Sequence, residues 1–467
     1  MTSTASRWTH ESVLAFAKTR DPVQAVTERA REITMNAMDA GWSGPPFDPL
    51  ALADLLEIAV IPREDVREAQ TVATDQGKPR IEYNPTRPKG RLRYSLAHEI
   101  AHTIFPDWAD RVRKRAPHSE LEGDDWQLEA LCNIAAAEFV MPIGSFTDLA
   151  TPAVGIDVLL EEQKRYEVSM EAILIRAVHL RTDPCAMFCA SPIDKGGHKG
   201  RYRIDYLIGS RVWKPHVISR GSVLPEQTLV AHCSAIGFTA KGVEAWADKN
   251  GKLRVEALGI PPYPGSLRPR VVGLLQPVDE GQGAAPDLVE YVVGDATEPR
   301  GEGPKLIVHI VSDGAITWGG GGFAAAMRRA WPVAQDEFRQ WVGPARKELV
   351  LGNVHFSSVR EDVDVASIVA QHGYGPSAQP RVRYNALREG LSRVAAVARQ
   401  KGATVHMPRI GTGQAGGSWD VVEELIRLTL STEDLRVTVY QLPGSRLRSS
   451  AAQQAPDAEG SAQQSMF

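Results

Sequence analysis

Cysteine is scarce in this chain. Four residues in 467, at Cys132, Cys185, Cys189 and Cys233, exclude a disulfide-stapled scaffold. They read as scattered reduced thiols. Cys185 and Cys189 have no second pair nearby, so they do not make a zinc knuckle. Long apolar runs are missing as well. No stretch approaches the roughly 18 residues of a membrane-spanning helix. A large charge excess is also absent, because Lys+Arg 53 against Asp+Glu 57 leaves a formal charge of −4. That balance gives no bulk electrostatic reason to coat nucleic acid or an anionic membrane. The opening residues Met1–Glu11 carry neither an apolar core nor the small-residue cleavage site of a secretory leader. The expectation is a cytoplasmic protein with no membrane partner and no direct nucleic-acid partner.

What is present is an ordinary globular composition, 43% apolar and 24% charged. At roughly 100–200 residues per domain the length predicts about three domains. Residues 1–182 are mostly helical in pattern. Helical spacing runs through 10–41, 48–60, 91–104, 125–140, 155–165 and 168–181, with a short strand expected at Ala59–Ile61. Residues 183–287 show short apolar runs between Gly and Pro, which predicts a small β-rich domain. From 288 to 445 strands and helices alternate, the pattern of an α/β layered domain. Strands are predicted at 289–293, 305–311, 348–357, 366–371, 404–407 and 436–442. Helices are predicted at 323–341, 382–401 and 419–430. Residues 446–467 are rich in Ser, Ala, Gln and Gly and read as a disordered tail.

The first chemical pattern is His98-Glu99-Ile100-Ala101-His102 on the 91–104 helix. Residues four apart share a helical face, so both imidazoles can reach one Zn²⁺. Glu99 then faces the water that the metal would activate. Two histidines can also share a surface helix without any common role. A catalytic zinc needs a third protein ligand. The next helix offers Glu129, and Glu138 nine residues further on; spacing alone does not choose between them.

The stretch 91–142 resembles the ImmA/IrrE family of zinc metallopeptidases. The resemblance rests on His98-Glu-Ile-Ala-His102 and on Glu129-x-x-x-Asn133-x-x-Ala-Ala-Glu138-x-x-Met141-Pro142. It implies His98, His102 and Glu129 as zinc ligands and Glu99 as the catalytic base. Ala135 and Cys132 depart from the family, which usually has an aromatic residue and Ala there. Over roughly residues 20–182 the resemblance implies a helical gluzincin-like protease domain, often one that cuts a transcriptional repressor under stress.

The second pattern is a pair of glycine loops between predicted strands and helices. One runs from Asp313 to Phe323 through Gly319-Gly320-Gly321-Gly322. The other runs from Pro408 to Trp419 through Gly411-Thr412-Gly413-Gln414-Ala415-Gly416-Gly417. Glycine lets backbone N–H groups approach a phosphate, and a helix N-terminus adds partial positive charge. Such loops are often plain turns; two of them in one α/β block suggest a diphosphate site. The block 288–443 resembles a macrodomain, a three-layer α/β fold. The carrying residues are Val293-Gly294-Asp295-Ala-Thr, the Gly319–Gly322 loop, His406–Trp419 and Val437–Leu442. It looks closest to the branch of ADP-ribose glutamate hydrolases and related ADP-ribose readers. The resemblance implies ADP-ribose as ligand. Asp295 would accept from the adenine amino group, and Gly319–Phe323 with Gly411–Gly416 would hold the diphosphate and distal ribose. Hydrolases of that branch use a Lys and an Asp where this chain has Gln371 and Ala415. Another hydrolytic pattern uses Asn and Asp where it has Gly314 and Ala324. His372 and Asp420 are the available stand-ins.

The expected function is a zinc endopeptidase acting on a regulatory protein or an ADP-ribosylated protein, coupled to an ADP-ribose-binding macrodomain. The alternatives are an ADP-ribosyl-protein hydrolase working through the macrodomain, and a non-enzymatic ADP-ribose sensor.

Overall fold

A computed structural model describes residues 8–109, 113–114, 124–145, 154–213, 218–246, 252–262, 268–278, 288–319, 321–374, 377, 379–431 and 434–441. The tail expected at 446–467, and Gly320 of the first glycine loop, lie outside the described residues. The chain forms two units: Met1–Asp287 with Tyr374–Asn385, and Leu288–Gly373 with Ala386–Phe467.

The first unit begins with helices α1 (Glu11–Ala17), α2 (Pro22–Asp39) and α3 (Pro49–Leu55). The continuous spacing over 10–41 is two helices, because Asp21 and Pro22 start a new one. The Asp21 carboxylate accepts from Gln24 N, and the proline sits at the first turn, where no donor is needed. Asp48-Pro49 repeats the device at α3. Strands β1 (Ala59–Pro62), β2 (Ala69–Ala73), β3 (Pro79–Tyr83) and β4 (Arg113–Lys114), with helix α4 (Lys89–His102) between β3 and β4, make a sheet in the order β1-β3-β2-β4. Of these strands sequence patterning identifies only β1. Ala69–Ala73 and Pro79–Tyr83 are short and polar at several positions, so they lack a clear period of two. Helices α5 (Asp125–Val140), α6 (Ile156–Tyr166) and α7 (Met170–Leu180) follow. Ser169 caps α7 by accepting from Ala172 N.

The same unit continues into an antiparallel sheet. It holds β5 (Ala186–Pro192), β6 (Tyr202–Gly209), the short helix α8 (Leu229–His232), β7 (Thr239–Glu244), β8 (Lys252–Ile260) and β9 (Arg270–Val278). The strand order is β6-β5-β9-β8-β7. Phe188, Trp246, Ile204, Leu253 and Leu275 are buried in its core.

The second unit is α/β. It contains β10 (Val289–Val293), β11 (Lys305–Ser312), α9 (Gly322–Ala330), α10 (Pro332–Val342), β12 (Val354–Arg360), β13 (Val363–Gln371), α11 (Tyr384–Lys401), β14 (Thr404–Pro408), α12 (Trp419–Thr429) and β15 (Val437–Gln441). The sheet order is β10-β15-β14-β11-β13-β12. Every pairing is parallel except β12 with β13. Two differences from the sequence pattern are the largest, and β13 also begins three residues before its predicted start at 366. The predicted 323–341 helix is broken at Trp331, where Pro332 starts a second helix. The strand predicted from 348 begins at Val354, because 349–352 turn, with Leu349 N bonded to Arg346 O and Asn353 N to Val350 O. The chain leaves β11 towards β13 on one side and leaves β14 towards β15 on the other. The switch point therefore lies between β11 and β14, where open α/β sheets bind ligands at their strand C-termini.

Candidate metal centre and glycine-loop crevice

α4 and α5 pack face to face in the first unit. Ala97, Ala101, Cys132, Ala135 and Ala136 are all fully buried, and their small side chains allow a close approach. On the shared face His98 and His102 are 1% and 0% exposed. Their Nε2 atoms lie 3.2 Å apart. Glu129 completes the set: Oε2 is 3.0 Å from His98 Nε2, and Oε1 is 3.4 Å from His102 Nε2. One donor atom from each of the three lies within 4.8 Å of the others. Burial alone would raise the Glu129 pKa, but hydrogen bonds to the two imidazoles hold it far below the usual carboxylate range.

Glu99 is completely buried beside this set. Its Oε2 accepts from Thr71 Oγ1 at 2.7 Å, while Oε1 has no hydrogen-bond partner among the described residues. A buried carboxylate oxygen without a partner is costly unless something polar meets it. The outer nitrogens of the two rings are also accounted for. His98 Nδ1 lies 3.1 Å from Asn133 Oδ1, and His102 Nδ1 lies 3.4 Å from Cys132 Sγ.

Glu138, the other acid left open by spacing, has a different place. Its Oε1 accepts from Arg31 at 3.1 Å and from Arg176 at 2.8 Å. Burial would raise its pKa, but the charges of Arg176 and Arg31 more than offset that and lower it. It is a buried ion-pair centre away from the imidazoles. Two imidazole nitrogens and one carboxylate, with an unpartnered acid oxygen alongside, fit the donor chemistry of a catalytic zinc. Thr71 was not found from the sequence. It lies on an unrecognised strand 28 residues before Glu99, and a lone threonine carries no signal.

In the second unit both glycine loops emerge at the switch point. Gly321 caps α9, and an added Cβ there would lie 3.7 Å from Gln414 Nε2, so the two loops face each other. Gly322 has φ +56°, the left-handed region that favours glycine. The second loop closes on itself, with Gly417 N donating to Gly411 O at 2.8 Å and Gly416 N to Gly413 O at 3.0 Å. Thr412 Oγ1 donates to Arg409 O, and Ala415 is buried. Among the described residues an added Cβ on Gly319 or Gly413 would meet nothing within 4 Å. Phe323 lies in the first turn of α9, its ring 6.4 Å from His309. Asp295 stands at the same end of the sheet, after β10, exposed, and its Oδ1 accepts from Thr297 N at 2.9 Å.

One pair in this crevice becomes visible only in the fold. His372 follows β13 and Asp313 follows the neighbouring β11. His372 Nδ1 lies 2.6 Å from Asp313 Oδ2. Asp420 is at the first turn of α12.

Comparison with known proteins adds to this geometry. Residues 58–178 match the family model Peptidase_M78, the IrrE N-terminal-like domain. The radiation response metalloprotease IrrE of Deinococcus deserti is 32% identical over 113 residues, 24% of this chain and 39% of that protein. Chromodomain-helicase-DNA-binding protein 1-like of Mus musculus is 36% identical over 172 residues, 35% of this chain and 19% of that protein. The chain thus spans well under half of the curated relatives it matches. A macrodomain protein from Streptomyces coelicolor is 41% identical over 33% of this chain and 98% of its own, with a TM-score of 0.29. The likeness to that macrodomain protein covers a third of this chain, and the match to the IrrE N-terminal-like domain covers residues 58–178.

Proposed function

We propose that the chain is a zinc-dependent endopeptidase coupled to an ADP-ribose-binding macrodomain. The observation that carries the peptidase reading is the convergence of His98, His102 and Glu129 beside the unpartnered Oε1 of Glu99. His98 and His102 present Nε2, and Glu129 presents a carboxylate oxygen, as ligands. When bound, zinc polarises the scissile carbonyl and lowers the pKa of water to about 7. Thr71 fixes Oε2 of Glu99, so Oε1 is left to take the proton from the attacking water. Glu99 then returns that proton to the leaving amine. The substrate is a regulatory protein, such as a transcriptional repressor, or a protein carrying ADP-ribose. In the macrodomain, Asp295 accepts from the adenine amino group, and the facing glycine loops take the diphosphate and distal ribose. This domain recruits the peptidase or senses free ADP-ribose. No described helix is long and apolar enough to cross a membrane; action in the cytoplasm is part of the proposal.

The test is identification of new protein N-termini in cells carrying wild type or Glu99→Gln. Wild type generates them and the variant does not, although purified Glu99→Gln still holds zinc. Cleavage by the variant would end this reading.

A second reading has one observation in its favour. The His372–Asp313 pair lies at adjoining strand C-termini, where Asp313 orients an imidazole as a base for water. This supports ADP-ribosyl-protein hydrolysis without the Lys–Asp or Asn–Asp sets that the chain lacks. Released ADP-ribose, measured in a Glu99→Gln background, should fall about 10²–10⁴-fold in His372→Ala while ADP-ribose binding persists. Equal release from His372→Ala would remove the pair from the chemistry.

A further inference from the structure

We infer that Cys132 is a positioning residue for the metal centre, holding His102 in the tautomer and ring orientation that presents Nε2 to zinc. The inference rests on the zinc reading and adds to it a residue outside the ligand set.

The face of α5 that meets α4 carries Glu129, Cys132 and Asn133, at positions i, i+3 and i+4 of one helix. Glu129 faces the inner nitrogens of both rings. For Nε2 to offer its lone pair to a metal, each ring must carry its hydrogen on Nδ1. A buried Nδ1–H needs an acceptor. For His98 the acceptor is Asn133 Oδ1, 3.1 Å away. For His102 it is the next residue along α5, Cys132 Sγ, at 3.4 Å. That length is within the range of a hydrogen bond to sulfur. Both partners are sealed from water, with His102 and Cys132 each 0% exposed, so solvent cannot substitute for the sulfur. The adjacent residues 132 and 133 thus serve the two ligands in turn, while the residue one turn earlier serves the metal.

The choice of a thiol has a physical rationale. A carboxylate would be a stronger acceptor, but it would place a third acid beside Glu99 and Glu129 at a fully buried position. Burying another charge without a dedicated partner is expensive. A neutral thiol accepts the Nδ1–H and adds no charge. It is also small enough to keep α4 and α5 in close contact.

The experiment uses the full chain. Zinc affinity is measured by competition with a chromophoric chelator for wild type, Cys132→Ala and Cys132→Ser. The tautomer of His102 in each protein before zinc is added is read from its imidazole ¹⁵N shifts. Cys132→Ala should bind zinc about 10–100-fold more weakly and lose the protected Nδ1–H signal of His102. Cys132→Ser, which keeps an acceptor, should restore both. If the alanine variant fails to fold, Cys132→Val fills the volume without a good acceptor and should show the same loss. Wild-type affinity together with an unchanged Nδ1–H signal in Cys132→Ala or Cys132→Val would overturn the inference. Failure of wild type itself to bind zinc would instead overturn the peptidase reading on which it rests.

Discussion

The metal centre and the glycine-loop crevice are built on opposite principles. At the first, two buried imidazoles and a partly buried carboxylate from two packed helices converge; Asn133 and Cys132 meet the outer nitrogens of the imidazoles, and Thr71 holds Glu99 beside them. At the second, backbone loops open at the ends of parallel strands, and the glycines present space that a Cβ would fill. Precision in the first comes from side-chain hydrogen bonds, of which the Thr71–Glu99 and Cys132–His102 bonds are shielded from water, where each is strengthened and each omission is costly. In the second it comes from sheet topology, which brings two loops distant in sequence to one switch point. A side-chain site is therefore damaged by deletion, whereas a backbone site is damaged by addition.

The largest test of that contrast is Glu99→Gln, expected to lower peptide cleavage about 10²–10⁴-fold with zinc retained, as read by turnover and metal analysis. Next is Glu138→Ala, which strands the buried Arg31 and Arg176 charges and should cost about 3–5 kcal/mol in urea unfolding. Glu138 also gives a pH signature. Its pKa is lowered in the fold, so its contribution is present above the unfolded value, near 4.3, and is lost as pH falls through the folded value. Stability of Glu138→Gln should accordingly decline less steeply than wild type below about pH 4.3, measured by denaturation across pH. The smallest expected effect on the fold is that of Gly413→Val. Its new side chain meets open space, so urea unfolding should move by less than about 0.5 kcal/mol while calorimetric ADP-ribose binding falls. Unchanged binding would show that the crevice is not the ligand site.

Legibility in the sequence followed the same divide. The His98–His102 spacing and the helical patterning around it placed α4 and α5 within a few residues, because a long helical pattern is a local signal. Glu129 could be separated from Glu138 only by resemblance, since both are acids on one helix. The ion pair of Glu138 with Arg31 and Arg176 depends on contacts more than 30 residues away. Thr71 escaped because β2 is short and weakly patterned. In the α/β unit the loops were legible from their glycines. The His372–Asp313 bond was not, because its partners are 59 residues apart and meet only once β11 and β13 pair.

Helix α5 is pinned at two places along its length, at residue 129 by the imidazoles and at residue 138 by two guanidinium groups. Nine residues at ~1.5 Å each separate those anchors by about 13 Å. A turn of the helix about its own axis would have to break both at once. Arg31 and Arg176, neither of which is a candidate ligand, thereby also hold the helix that carries Glu129.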